Sequence, residues 1–114
     1  MTRLPISTKN PKIKPAFKLW FEINGKYVFG EGTHKLLESI KAEGSLSAAA
    51  KALDMSYRYA WGLVKDVEER LGTHVVKTRR GGKHGGQTEL TEAGLSLVTD
   101  YKELKKSMAD VCKL

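Results

Sequence analysis

GSLSAAAKALDMSYRYAWGLVKDVEERLG, residues 44–72, divides into two helical patterns with a short joint between them. Ser47 stands where an N-cap belongs, its hydroxyl free to accept an orphan amide of the first turn. Ala48, Ala49, Ala50, Lys51, Ala52 and Leu53 follow. They are good helix formers and mostly too small to keep a neighbouring helix at a distance. Asp54-Met55-Ser56 forms the joint, Ser56 caps a second helix running to Leu71, and Gly72 is its stop.

The second helix has two faces. Ala60, Val64, Val67 and Leu71 recur at i, i+4, i+7 and i+11, a narrow apolar stripe at about 100° per residue. Arg58, Trp61, Gly62 and Lys65 read as the opposite face, with Tyr57 on its flank. A face that needed only solubility would carry Glu, Lys and Gln. An indole and a tyrosine beside two cations belong on a surface that meets a partner. Two helices joined by a short turn, the second bearing such a face, are a helix-turn-helix.

Working outward from Gly72, His74-Val75-Val76-Lys77-Thr78 reads as a strand, Arg79-Arg80-Gly81-Gly82-Lys83-His84-Gly85-Gly86 as a basic tip, and Gln87 to Leu90 as a returning strand. This is a wing. Its glycine-rich tip is no nucleotide cradle, for it lacks the GxxxxGK[ST] order and opens no helix. Upstream, Phe17, Leu19, Phe21 and Ile23 alternate with Lys18, Trp20 and Glu22. Asn24-Gly25 supplies a type I′ turn, and Lys26 to Phe29 returns with Val28 opposite Phe21. Gly30-Glu31-Gly32-Thr33 opens a helix to about Glu43 with Leu36, Leu37 and Ile40 inward; His34 is expected on its surface. The last helix starts at a Thr91 cap. Leu97, Tyr101, Leu104, Met108 and Val111 form a heptad stripe along it, which either packs back on its own domain or pairs with a second copy.

GSLSAAAKAL, MSYRYAW, the EERLG that ends the second helix, RRGGKHGG and LTEAG together resemble the DNA-binding domain of ModE-type molybdate-responsive regulators, and more distantly LysR-type regulators. The resemblance covers roughly Phe17 to Tyr101. It implies a DNA-binding transcriptional regulator. The ModE family carries molybdate-binding domains after this part, whereas this chain ends at Leu114. The expectation is therefore no cofactor, with any effector sensed by a separate partner protein.

Composition agrees with that class. The net charge is +7, and an excess of this size favours a polyanionic partner. It collects at the N-terminus (Arg3, Lys9, Lys12, Lys14, Lys18 and Lys26 against Glu22) and in residues 56–90, while the last helix is balanced. A lone Cys112 forms no internal disulfide and suits a reducing cytoplasm. No apolar run approaches the roughly 20 residues of a membrane span. His34, His74 and His84 are scattered and Cys112 has no evident base, so neither a metal centre nor an enzyme is expected.

The expected architecture is mainly α with small β-hairpins. Residues 1–15 form a basic arm, either a solvated tail or a tracker of phosphates; 16–90 form a winged helix-turn-helix; and 91–114 form a C-terminal dimerisation helix. Expected DNA contacts are Ser47, Ser56, Tyr57, Arg58, Trp61 and Lys65 on the helix-turn-helix, and Lys77, Arg79, Arg80 and Lys83 on the wing. The expected dimer seam is Leu97, Tyr101, Leu104, Met108 and Val111. Two rivals stay open, a low-specificity architectural DNA-binding protein and a winged helix that binds protein.

Overall fold

Hydroxyl caps and left-handed turns set most of the helix borders in this chain. The computed structural model describes residues 12–79 and 86–113. In chain order the elements are β1 (Trp20–Ile23), β2 (Lys26–Gly30), α1 (Glu31–Glu43), α2 (Leu46–Ala52), α3 (Tyr57–Leu71), β3 (Val76–Arg79), β4 (Gln87–Leu90) and α4 (Glu92–Cys112). Each strand pair is its own two-stranded antiparallel sheet. Ser56 caps α3 by accepting from the Tyr59 amide, and Thr91 caps α4 by accepting from Gly94. Gly44 and Gly72 end α1 and α3 with φ of 82° and 73°. The cap of α2 differs from expectation. It is Ser45, which accepts from the Ala48 amide at 3.0 Å, and not Ser47. The reason is tertiary: Leu46 is buried, its amide tied to Thr88 Oγ1 at 3.2 Å, so the helix must begin there. Ser47 is left exposed in the first turn.

The N-terminal hairpin turns at Asn24-Gly25, both at positive φ as type I′ requires. Its register is not the simple one. Ile23 pairs Lys26 and Glu22 pairs Tyr27, but Phe21 pairs Phe29, not Val28. Val28 is the extra residue of a β-bulge, which bends a strand and re-aims its side chains. In a regular strand Val28 and Phe29 would face opposite sides; here both are buried.

One core joins Leu36, Leu37 and Ile40 of α1, Ala49 and Ala50 of α2, and Ala60, Val64 and Val67 of α3 to Val75, Val76, Leu90, Val98 and Tyr101. The alanines let α2 lie close to both neighbours. At one end sits an aromatic cluster. The Tyr101 ring meets Phe29 edge-on at 5.5 Å, Phe21 at 5.6 Å and His34 at 4.5 Å. Two expectations change here. His34 is only 5% exposed, not a surface residue, because β2 and α4 supply an apolar cover that the periodicity of α1 does not reveal. Tyr101 is 1% exposed and belongs to its own chain's core, not to an outer seam.

Burial holds the His34 imidazole below its ordinary value of 6.5, with the Lys105 charge adding to this and Glu38, Glu31 and the Val98 main chain pulling the other way. Its Nε2 has no hydrogen-bond partner among the described residues. The histidine is therefore folded in as the neutral form. As pH falls below 6.5 the unfolded chain takes up a proton that the folded chain resists, so stability is full above that value and declines beneath it. The Glu31 carboxyl is also held low, chiefly by its hydrogen bond from Lys105, and its contribution fades only at more acid pH. Between about pH 7 and pH 5 the urea midpoint should drop, and His34→Phe should flatten that drop; an unchanged slope in the variant would show that His34 is not the group responsible.

Candidate nucleic-acid interface

The joint between α2 and α3 is closed by the carbonyls that α2 leaves free. The Leu53 amide bonds Ala49 O and Ala50 O, and the Met55 amide bonds Ala50 O at 2.8 Å. Asp54 takes φ of 56°, a left-handed position that aspartate tolerates better than most residues. This sharp turn sets α3 across α2 with its buried stripe inward.

Rotation along α3 sorts the remaining side chains. Arg58, Gly62 and Lys65 lie on the far side from Ala60, Val64 and Val67, and all are exposed. Trp61 does not. It lies about a quarter turn from the stripe and packs partly against the core. Lys65 Nζ sits 4.9 Å from the centre of its ring, a cation–π stack that holds both side chains in place. Tyr57 and Tyr59 flank the first turn at 58% and 59% exposure. Tyr59 was missed by the stripe reading, although the aromatic pair astride Arg58 was visible in YRY. Exposed acids, Asp66 and Glu69, occur only in the second half of α3. The half running from Ser56 to Lys65 therefore carries exposed cations and no acid.

The remaining acid of α3 builds the wing. Glu68 Oε2 accepts from the Val75 amide at 2.9 Å and the Val76 amide at 3.4 Å, with His74 Nδ1 3.3 Å away. Other bonds fasten the wing's base to the fold. Thr91 Oγ1 donates to His74 O at 2.7 Å, the Thr91 amide to Val75 O at 3.0 Å, and the Thr88 amide to Gly44 O at 2.9 Å. Any side chain at Gly94 would run into Val75 O. The ladder pairs Val76 with Leu90, Lys77 with Glu89, Thr78 with Thr88 and Arg79 with Gln87. Lys77 and Arg79 are not bare cations: both ion-pair with Glu89, at 3.2 and 3.0 Å. Those two cations hold the Glu89 carboxyl below its ordinary value, Lys77 chief among them; away from the wing, burial and the bond to Glu31 raise the Tyr101 hydroxyl to about 12. Arg80 and Lys83, the other expected wing contacts, lie outside the described residues, as does the arm up to residue 11. Among the described residues no cluster of His, Cys, Asp and Glu gathers to hold a metal ion.

The expected α4 seam divides in two. Leu97 packs partly on the core and Tyr101 within it, while Leu104 is 44% exposed and Met108 and Val111 are half-buried. Beside this outer half a groove of about 750 Å³ runs between residues 15–20 and α4, with Phe17, Leu19, Tyr27, Ala109 and Cys112 among its walls.

The family of bacterial regulatory helix-turn-helix proteins termed lysR matches residues 34–95. The molybdenum transport protein ModE of Azotobacter vinelandii is 37% identical over 71 residues, covering 62% of this chain and 26% of that protein. The molybdenum-pterin-binding protein MopB of Rhodobacter capsulatus is 39% identical over 74 residues, covering 65% and 27%. The DNA-binding transcriptional dual regulator ModE of Escherichia coli (strain K12) is 37% identical over 67 residues, covering 58% and 25%. The chain thus matches about a quarter of the length of these relatives. Among solved structures, a CbnR DBD–DNA complex superposes with a TM-score of 0.55 at 23% identity, over 69% of this chain and 85% of that one. ArgP from Mycobacterium tuberculosis does so at 0.55 and 19%, over 70% and 28%. At these identities the likeness is one of fold, a winged helix.

Because Glu68 accepts from the buried amides of Val75 and Val76, Glu68→Ala should destabilise the protein by about 1–3 kcal/mol through unsatisfied buried donors. Glu68→Gln, which keeps an acceptor, should cost less. Equal urea midpoints for parent and both variants would show that water serves these amides equally well.

Proposed function

The chain belongs to the lysR family of bacterial regulatory helix-turn-helix proteins, and we propose that it is a transcriptional regulator that binds double-stranded DNA sequence-specifically. The observation that carries this reading is the N-terminal half of α3: Tyr57, Arg58, Tyr59 and Lys65 stand exposed there, without an exposed acid, beside a basic wing fastened to the same helix by Glu68. In this reading the start of α3 enters the major groove, as recognition helices do with their N-terminal residues. The planar fork of Arg58 reaches two acceptors on a guanine edge. Tyr57 and the free edge of Trp61 pack on thymine methyls or sugars. Ser47, Ser56 and Lys65 hold phosphates from the helix-turn-helix. Lys77, Arg79, Arg80 and Lys83 do so from the wing, Lys77 and Arg79 sharing themselves between Glu89 and the backbone.

A single α3 reads too few base pairs to find one site in a genome. A second copy of the chain, seated on Leu104, Met108, Val111 and the adjoining groove, would double the readout and space two half-sites about one helical turn apart. Trp20 and Tyr27, both exposed on the first hairpin, line the same groove. We place the protein in the cytoplasm, where such a regulator meets DNA; among the described residues no helix is long and apolar enough to cross a membrane.

Selection of duplexes from a random library, with and without molybdate, tests the proposal directly. An inverted repeat should emerge. Salt-dependent binding that does not distinguish random from selected duplexes would favour an architectural role, and weak binding even at low salt a protein partner. Arg58→Ala should cost about 1–3 kcal/mol on the selected site and relax preference at one position per half-site; equal losses on selected and random DNA, measured by titration, would assign Arg58 to a phosphate. Leu104→Glu with Met108→Glu should give monomers with weakened specific binding. Sedimentation of the unsubstituted protein as a monomer at about ten micromolar, well above the Kd range of specific DNA complexes, would exclude the dimer.

A further inference from the structure

Gly62 occupies a place where a helix has little use for glycine. It lies inside the 15 residues of α3, where glycine is less favourable than alanine because its backbone has more freedom to lose. The fold does not require it, for a Cβ at Gly62 would meet nothing within 4 Å. Other described glycines answer to the chain itself. Gly25, Gly44 and Gly72 adopt positive φ, Gly30 abuts the Tyr27 ring, Gly86 lies against Arg79 O, and Gly94 abuts Val75 O. Gly32 shares the open surroundings of Gly62, but it stands in the first turn of α1, where helix ends fray and the cost is small.

Position gives Gly62 its meaning. It lies about 170° around α3 from the centre of the Ala60-Val64-Val67-Leu71 stripe, at the crest of the exposed arc. Arg58 stands one turn before it, and Lys65 and Asp66 one turn after. Two long cations thus border a stretch of bare main chain. A soft point in the helix would be the other use of a glycine, but α3 is held by caps at Ser56 and Gly72 and by Ala60, Val64 and Val67 in the core.

We infer that Gly62 is the point of closest approach between α3 and DNA: a base-pair edge on the floor of the major groove sits against the main chain there, between Arg58 and Lys65. The inference rests on the DNA-binding reading above and deepens it. The missing side chain sets the depth of α3 in the groove, and so sets which base edges Arg58 and Tyr57 reach. A methyl at this position lifts the helix off the groove floor. Base readout suffers, while phosphate contacts made by long, flexible cations adjust.

The test is Gly62→Ala in the full chain, read by thermal melting and by titration with the duplex selected by the parent and with random duplex. The melting temperature should rise by a few degrees. Affinity for the selected site should fall at least about tenfold, and affinity for random duplex should stay within about twofold. Selected-site affinity within about twofold of the parent would overturn the inference, because α3 would then have room for a side chain at its crest. A lower melting temperature would also overturn it, since the glycine would then serve the fold. A parent that selects no sequence would overturn the DNA reading and this inference together. A parent with a clear site that the alanine variant still holds overturns the inference alone.

Discussion

The Tyr101 hydroxyl ties together three elements that have no main-chain bonds to one another. From the middle of α4 it reaches Leu19 O at 3.0 Å and Glu31 Oε2 at 2.9 Å, one proton serving two acceptors. Its ring closes the cluster of Phe21, Phe29 and His34. Glu31 in turn takes the Lys105 ammonium at 2.7 Å, so two successive turns of α4 meet the start of α1 at one carboxylate, while the hydroxyl alone adds the entry to β1. A two-stranded hairpin is marginal alone in water. Here it persists because its bulge turns Val28 and Phe29 inward, where the Tyr101 ring meets Phe29.

A second constraint works in α3. α3 serves the core, the wing and the outer surface at once, and its acids are apportioned accordingly. Glu68 is spent on the amides of Val75 and Val76, while Asp66 and Glu69 are kept past the first half of the helix. The acid-free, basic surface of α3 is thus confined to the residues from Ser56 to Lys65. On the wing, Glu89 holds Lys77 and Arg79 in a fixed array at the cost of part of their charge. Such an array orients two flexible cations before any partner arrives, which reduces the ordering that binding would otherwise require.

Much of this was legible from residue order alone, because helix periodicity and turn chemistry act over a few residues. The stripe of Ala60, Val64 and Val67, the Ser56 and Thr91 caps, the Gly44 and Gly72 stops, the Asn24-Gly25 turn and the two strands of the wing are all local patterns, and the structure keeps them. The exposed, basic and aromatic start of α3 follows from the same periodicity. Local chemistry could not choose between two hydroxyls of equal type, however. Ser45 caps α2 because Leu46 is called into the core and bonded to Thr88, a residue 42 positions away.

Long-range packing decided the rest. His34 looked like a surface residue because its cover comes from Phe29 and Tyr101 on other elements. Tyr101 looked like one member of a heptad seam because periodicity reports which residues share a face, not what that face meets. The bulge at Val28 is invisible in a regular alternation and appears only where two hydrophobic neighbours must both be buried. Glu68 has no local partner that marks it as structural; the amides of Val75 and Val76 that it accepts from come from beyond the end of its own helix. Residue order therefore determined the helix-turn-helix, its wing and the character of its outer face; the tertiary structure alone decided which hydroxyl caps, which aromatics are core and which acids are spent inside, since each of these depends on groups distant in the chain competing for the same burial and the same hydrogen bonds.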